Sequence, residues 1–241
     1  MSNMLKKTLL ALVVGCVFLP NPVSAQMSPQ PPMPMVVDLK KVPVGSWASY
    51  SVTMGEMTMR SKTALVARDA SSVSMETSME GGMMAMMGGK MTMKVVMDPD
   101  PTKAVKPVKQ MVMQIGEQDP MLAPDTTQAQ SYSKPDPKAL VGKETIKVAA
   151  GSFKTAHYRS KTEQGTMDVW VSETVPPTGL VKLRTSAMQA GGQSLPAMVM
   201  ELKSTGAGAK STITKPPKPF DPRKMMGGMA PAPAGKRKGK K

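Results

Sequence analysis

A mostly antiparallel β fold of about ten short strands is predicted by three features of the 241-residue sequence. Val, Thr, Ser and Met alternate with period two over short runs, which separates the two faces of a pleated strand. Glycine or proline interrupts these runs at hairpin-like intervals. No amphipathic stretch of helical period is long enough to predict a helix, so little helix is expected. Aromatic residues make up only 3% of the chain, and 27 methionines supply much of the apolar bulk in their place.

Residues 1–25 read as an export signal. Lys6 and Lys7 give a basic start, 9–19 an apolar run, and Pro20-Asn21-Pro22 a break before the small residues of Val23-Ser24-Ala25. The run is shorter than the roughly 20 residues of a membrane-spanning helix. Val13-Val14-Gly15-Cys16 resembles a lipobox, in which Cys16 would carry a lipid, but the apolar run continues past the cysteine and favours cleavage after Ala25. Residues 26–43, with five prolines, are expected to form an extended linker.

The β domain is expected over 44–206, with strands at 47–54, 57–68, 71–80, 90–97 and 109–115. The proline-bearing stretches 98–108 and 116–139 read as loops. Further strands are expected at 145–149, 153–161, 166–173, 180–187 and 197–205, with short joins at 150–152 and 162–165 that suit hairpins. Residues 207–241 are low in complexity and are expected to be a disordered basic tail. From Lys210 onward ten Lys and Arg face Asp221 alone, which is +9 of the chain's +15. The basic excess therefore belongs mostly to the tail. Its end, Lys236, Arg237, Lys238, Lys240 and Lys241, suits an anionic membrane surface or an acidic glycan, and no nucleic-acid partner is expected.

The second half carries a resemblance. The run Lys143-Glu144-Thr145-Ile146-Lys147-Val148-Ala149-Ala150-Gly151-Ser152-Phe153-Lys154-Thr155 is followed by Met167-Asp168-Val169-Trp170-Val171-Ser172 and Thr178-Gly179-Leu180-Val181-Lys182. Together they resemble exported bacterial proteins in or near the lipoprotein-localisation-factor-like group. The resemblance covers residues 140–205, and 44–115 by strand pattern alone. It implies a single curved sheet, an open half-barrel whose concave face can hold acyl chains. The carriers of that group cover this face with helices, for which the present sequence offers no candidate. No functional residue is carried over.

Fourteen methionines fall within 54–113. Met57/Met59, Met91/Met93, Met111/Met113 and Met198/Met200 are spaced two apart, which in a strand means one shared face. Core filling, a soft apolar groove and a thioether metal site are all compatible with that pattern. The leading expectation is a non-catalytic protein of the periplasm or outer membrane that binds a lipid, a lipoprotein or an apolar segment. Met57, Met59, Met91, Met93, Met111, Met113 and Trp170 would line the groove, with no cofactor. The alternative is Cu(I) or Ag(I) binding by Met83, Met84, Met86 and Met87 in the glycine-bounded loop 81–89. A second alternative is a structural envelope protein whose tail binds polyanions.

Catalysis finds little support. The sequence has one histidine and one cysteine, no Gly-x-Ser-x-Gly elbow and no Cys/His metal spacing. His157 reads as a strand residue sharing a face with Phe153, Thr155 and Arg159.

Overall fold

Period-two alternation between tight turns builds an open antiparallel sheet that runs through most of the described residues. The computed structural model describes residues 33–220, apart from 88, 105, 124–131, 163–164 and 191–192. The signal segment with Cys16 and the basic end at 236–241 lie outside the described residues.

The strands are β1 (Met33–Pro34), β2 (Trp47–Met54), β3 (Met57–Arg68), β4 (Val73–Gly81), β5 (Lys90–Met97), β6 (Val108–Ile115), β7 (Met121–Leu122) and β8 (Tyr132–Ser133). They continue as β9 (Leu140–Val148), β10 (Gly151–Thr162), β11 (Gly165–Val171), β12 (Leu180–Thr185), β13 (Met188–Ala190), β14 (Gln193–Leu195) and β15 (Met198–Gly206). Eleven of them form one sheet in the order β7-β6-β5-β4-β3-β2-β15-β12-β11-β10-β9, with antiparallel neighbours throughout. Two meanders, β2–β7 and β9–β12, are joined through β15. The only helical elements among the described residues are two 3₁₀ turns, Gly82–Met87 and Pro137–Ala139.

The long strands lie where alternation places them. β9 begins at Leu140, five residues before the predicted 145. As an edge strand it leaves most of its side chains in water, so Lys143 and Glu144 do not interrupt it. The pairs β1–β8 and β13–β14 are two and three residues long, too short for a period to show.

Register shifts at Leu65/Ala67, Val96/Met97, His157/Tyr158, Trp170/Val171 and Leu202/Ser204 curl the sheet. The β9–β10 turn swings back until the Ala150 N–H reaches the Leu202 carbonyl at 3.4 Å. Inside this curl lies one core, including Tyr50, Val169, Val171, Leu183 and Leu202. The Tyr50 hydroxyl donates to the Leu180 carbonyl at 3.1 Å. A second core lies on β3–β6, built of Leu65, Val73, Met75, Val95, Met97 and Met111.

The segment before β2 corrects the linker expectation. Met35, Leu39 and Val42 are buried in the second core, while Met33 and Val36 touch the first, so this strip bridges the two. Arg68 fastens it, with Nη2 donating to the Leu39 carbonyl at 2.8 Å and to that of Val42. Met35 N–H donates to the Ser133 carbonyl at 2.9 Å. Prolines keep the strip extended, as its composition implies, but its apolar side chains seal the sheet.

The start of the tail is also placed. Residues 207–220 cross the opposite face: Ser211, Thr212 and Ile213 lie on Glu76 of β4, and Lys218 forms a parallel bridge with Met121 of β7. Glu76 and Met75 are adjacent, so alternation puts the strip and this strap on opposite faces of one sheet.

Candidate functional site

The paired methionines share a face, and cross-strand register orders them into rows. Met75, Val95 and Met111 make one row beside Leu65. Thr77, Met93, Met113 and Met121 make the next, and Met79, Met91 and Ile115 a third. Met59 pairs with Val52, whose other partner is Met200.

Burial grades along these rows. Met75 and Met111 are sealed beneath the N-terminal strip, and Met93 packs against that core from its margin. Met59, Met79, Met91 and Met113 are half-buried, and Met57, at the end of the face, is 39% exposed. Of the residues read from sequence as a groove, Met111 is therefore core. Met59, Met91, Met93 and Met113 form a contiguous half-covered surface, and Met57 stands at its open end.

Trp170 is not among them. It pairs with His157 and Lys182 on the opposite face, because it is offset by one residue from the inward Val169 and Val171.

The glycine-bounded loop is a 3₁₀ turn packed against β3, β4 and β5. Gly82, at φ +52°, lies so close to Met59 that a Cβ there would sit 2.7 Å from Met59 Cγ. The turn thus rests on the methionine face, and Met84 is half-buried in it. The side chains of Met83, Met86 and Met87 lie outside the described residues. Among the described residues no group of three or more His, Cys, Asp or Glu is placed to hold a metal.

A second cluster, unforeseen in the sequence, occupies the other face of β10–β12. His157 is 8% exposed. Its Nε2 lies 2.7 Å from Asp168 Oδ1 and its Nδ1 3.4 Å from Glu144 Oε1. Arg159 Nε donates to Asp168 Oδ1 at 2.7 Å, and Trp170 Nε1 to Glu144 Oε1 at 2.7 Å. The His157 and Trp170 rings stack at 4.2 Å, 15° from parallel. On the next strand Lys182 lies 5.8 Å from the indole and pairs with Glu201 at 2.7 Å.

Both ring nitrogens of His157 face carboxylates, and the Trp170 indole covers one face of the ring. The sequence did hold the clue. A short join at 162–165 fixes the hairpin register, which sets His157 against Trp170 and Arg159 against Asp168.

Burial alone would push the Asp168 carboxyl up. Hydrogen bonds and charge from Arg159 and His157 outweigh it and hold the group below the ordinary carboxylate range. A carboxyl lowered in the folded state stabilises fully above its unfolded pKa of about 4, and that stabilisation is lost as pH falls through the lower folded value. Asp168→Asn is therefore expected to cost about 2 kcal/mol at pH 7. The gap from the parent should narrow as unfolding is repeated toward pH 2. A gap unchanged with pH would mean that the carboxylate's charge contributes nothing.

No protein-family model matches the chain, and no curated protein matches it. Three solved structures are similar in outline. A protein with YmcC-like fold from Bacteroides fragilis NCTC 9343 is 12% identical, covering 68% of this chain and 96% of its own, with a TM-score of 0.34. The hypothetical protein CT021 from Chlamydia trachomatis is 9% identical over 74% of this chain and 94% of its own, with a TM-score of 0.42. MucB is 12% identical over 73% of this chain and 56% of its own length, with a TM-score of 0.36. Likenesses of this size assign no family and transfer no activity.

Proposed function

We propose that the chain is an exported, non-catalytic protein that binds an apolar ligand, such as a lipid, a lipoprotein acyl chain or an apolar segment, on the half-covered part of its methionine face. One observation carries the reading: Met59, Met79, Met91, Met93 and Met113 continue the core face beyond the strip that seals the rest. Methionine suits such a surface because its unbranched thioether repacks around varied shapes. The signal-like segment 1–25 supports passage into the envelope. The basic end at 236–241 would hold the protein near anionic lipid. The engagement of both His157 nitrogens supports a non-catalytic role.

Affinity would come from burying hydrocarbon, at about 0.8 kcal/mol per CH₂. A fluorescent fatty-acid series tests this directly. Each two-carbon shortening is expected to weaken binding about fifteenfold. Met91→Asp should abolish binding, whereas Met91→Leu should preserve it. Binding indifferent to chain length, or to Met91→Asp in a folded chain, would sink the proposal.

A further inference from the structure

At the open end of the same face three methionines stand in one uninterrupted cross-strand row. Met54 closes β2 and Met57 opens β3, with only Gly55 and Glu56 between them, and the two are direct partners. Met198, the first residue of β15, is the partner of Met54 on its other side. Met59 and Met200 lie one step further in, on either side of Val52. Five thioethers thus occupy a patch three strands wide and two rows deep.

The backbone around this row is fixed. Gly55 turns at φ +59°, a conformation that costs glycine little, and this holds Met57 opposite Met54. A Cβ on Gly55 would lie 3.7 Å from the Pro196 ring, which places the approach to β15 against the same turn. The Met198 N–H donates to Thr185 Oγ1 at 3.2 Å and anchors the start of that strand. Met57 is 39% exposed, while Met54, Met198 and Met200 are half-buried, so the row is open to small solutes.

Directly opposed residues stand about 4.5–5.5 Å apart at Cβ. A methionine arm has three rotatable bonds, so the sulfurs of the two outer residues can turn toward the central one. The donors are neutral and soft, a set that selects Cu(I) and, by the same softness, Ag(I) over Zn(II), Mg(II) or Ca(II). Packing accounts for only part of the row: Met198 and Met200 rest against the first core, whereas Met54 and Met57 belong to neither core, and leucine would cover the sheet end there equally well.

We propose that Met54, Met57 and Met198 form a three-sulfur site for a soft monovalent cation, flanked by Met59 and Met200. The site borders the apolar-ligand face and shares Met59 with it, but its three sulfur donors bind a cation whether or not that face holds a ligand. It carries a distinctive pH signature, because thioethers have no proton to lose. Sites built on His or Cys weaken as acid protonates their ligands; this one holds its ion from pH 7 to pH 5.

The test is a titration of the folded chain, labelled with ¹³C at the methionine ε-methyls, with silver nitrate at pH 7 and again at pH 5. The expected result is that one equivalent shifts the Met54, Met57 and Met198 methyls at both pH values. The triple variant Met54→Leu, Met57→Leu, Met198→Leu is expected to lose that equivalent while its remaining methionine methyls keep the shifts of the folded chain. Shifts confined to other methionines, an undiminished equivalent in the variant, or binding lost at pH 5 would each overturn the proposal. Should the variant fail to fold, the methyl shifts of the unaltered chain decide.

Discussion

Replacing Leu39 with alanine is expected to lower the unfolding free energy by about 2–5 kcal/mol, the usual range for emptying a filled leucine site. Leu39 is 1% exposed and lies with Met35 and Val42 against Leu65, Met75 and Met97. The backbone cannot follow the missing methyl groups inward, because Arg68 holds the carbonyls of Leu39 and Val42 together. Most of the vacated volume would therefore remain as a cavity. Denaturant unfolding at pH 7 should show a lower midpoint with an unchanged slope. If the segment were only a linker, the change would stay within about 0.5 kcal/mol, as for an ordinary surface site. The same variant should raise binding of the fatty-acid probe, because loosening the strip uncovers the sealed end of the methionine face.

The strip also shows what sequence reading reaches and what it does not. Strands such as 47–54 and 57–68 are legible because one face is buried and the other is wet, and a glycine marks the turn between them. Leu39 is illegible for the opposite reason. Its burial depends on which part of a distant sheet face stands open, and no local period records that. The shared face of Met57, Met59, Met91 and Met93 follows from spacing alone. That the sheet seals Met111 and leaves Met57 at 39% exposure depends on where the strip ends. Trp170 was one residue from a correct placement, since in a strand a single step exchanges faces. The Met54–Met57–Met198 row escapes pair counting because its third member arrives from β15, 141 residues after β3 begins in the chain.

Glu76→Ala is expected to free residues 211–213 from the sheet and to leave the rest of the fold intact. Glu76 is 6% exposed on β4, and its carboxylate gathers the donors of the strap. Thr212 N–H lies 3.0 and 3.1 Å from its two oxygens, Thr212 Oγ1 2.6 Å, Ser211 Oγ 2.8 Å and Ile213 N–H 3.5 Å. Lys94 reaches the same Ser211 hydroxyl at 3.3 Å. A hydrogen bond to a charged group contributes about 1.5–3 kcal/mol. The released donors turn to water, however, so the loss is capped near about 3 kcal/mol and falls on local opening before global unfolding. Hydrogen exchange at Thr212 and Ile213 should accelerate by roughly a hundredfold, corresponding to about 2.7 kcal/mol. Protection in β10 and β11 should hardly change.

The pH dependence has a definite sign. Burial by itself raises the Glu76 carboxyl, but the hydrogen bonds from Thr212, Ser211 and Ile213 together hold it below its ordinary value. The latch is therefore complete above the unfolded pKa, near 4.3, and is lost as pH falls through the lower folded value. In the unaltered chain, protection at Thr212 and Ile213, corrected for intrinsic exchange, should fall in that acid window toward the level of the variant. A second fastening tests whether the strap moves as one piece. Asp119 holds Lys215 at 3.3 Å and Lys218 at 2.5 Å, beside the backbone bonds that join Lys218 to Pro120 and Leu122. If Asp119→Asn speeds exchange at Leu122 but not at Thr212, the strap has two independent latches. Equal acceleration at both would make it a single cooperative lever, by which whatever pulls on the chain beyond residue 220 is felt at Glu76.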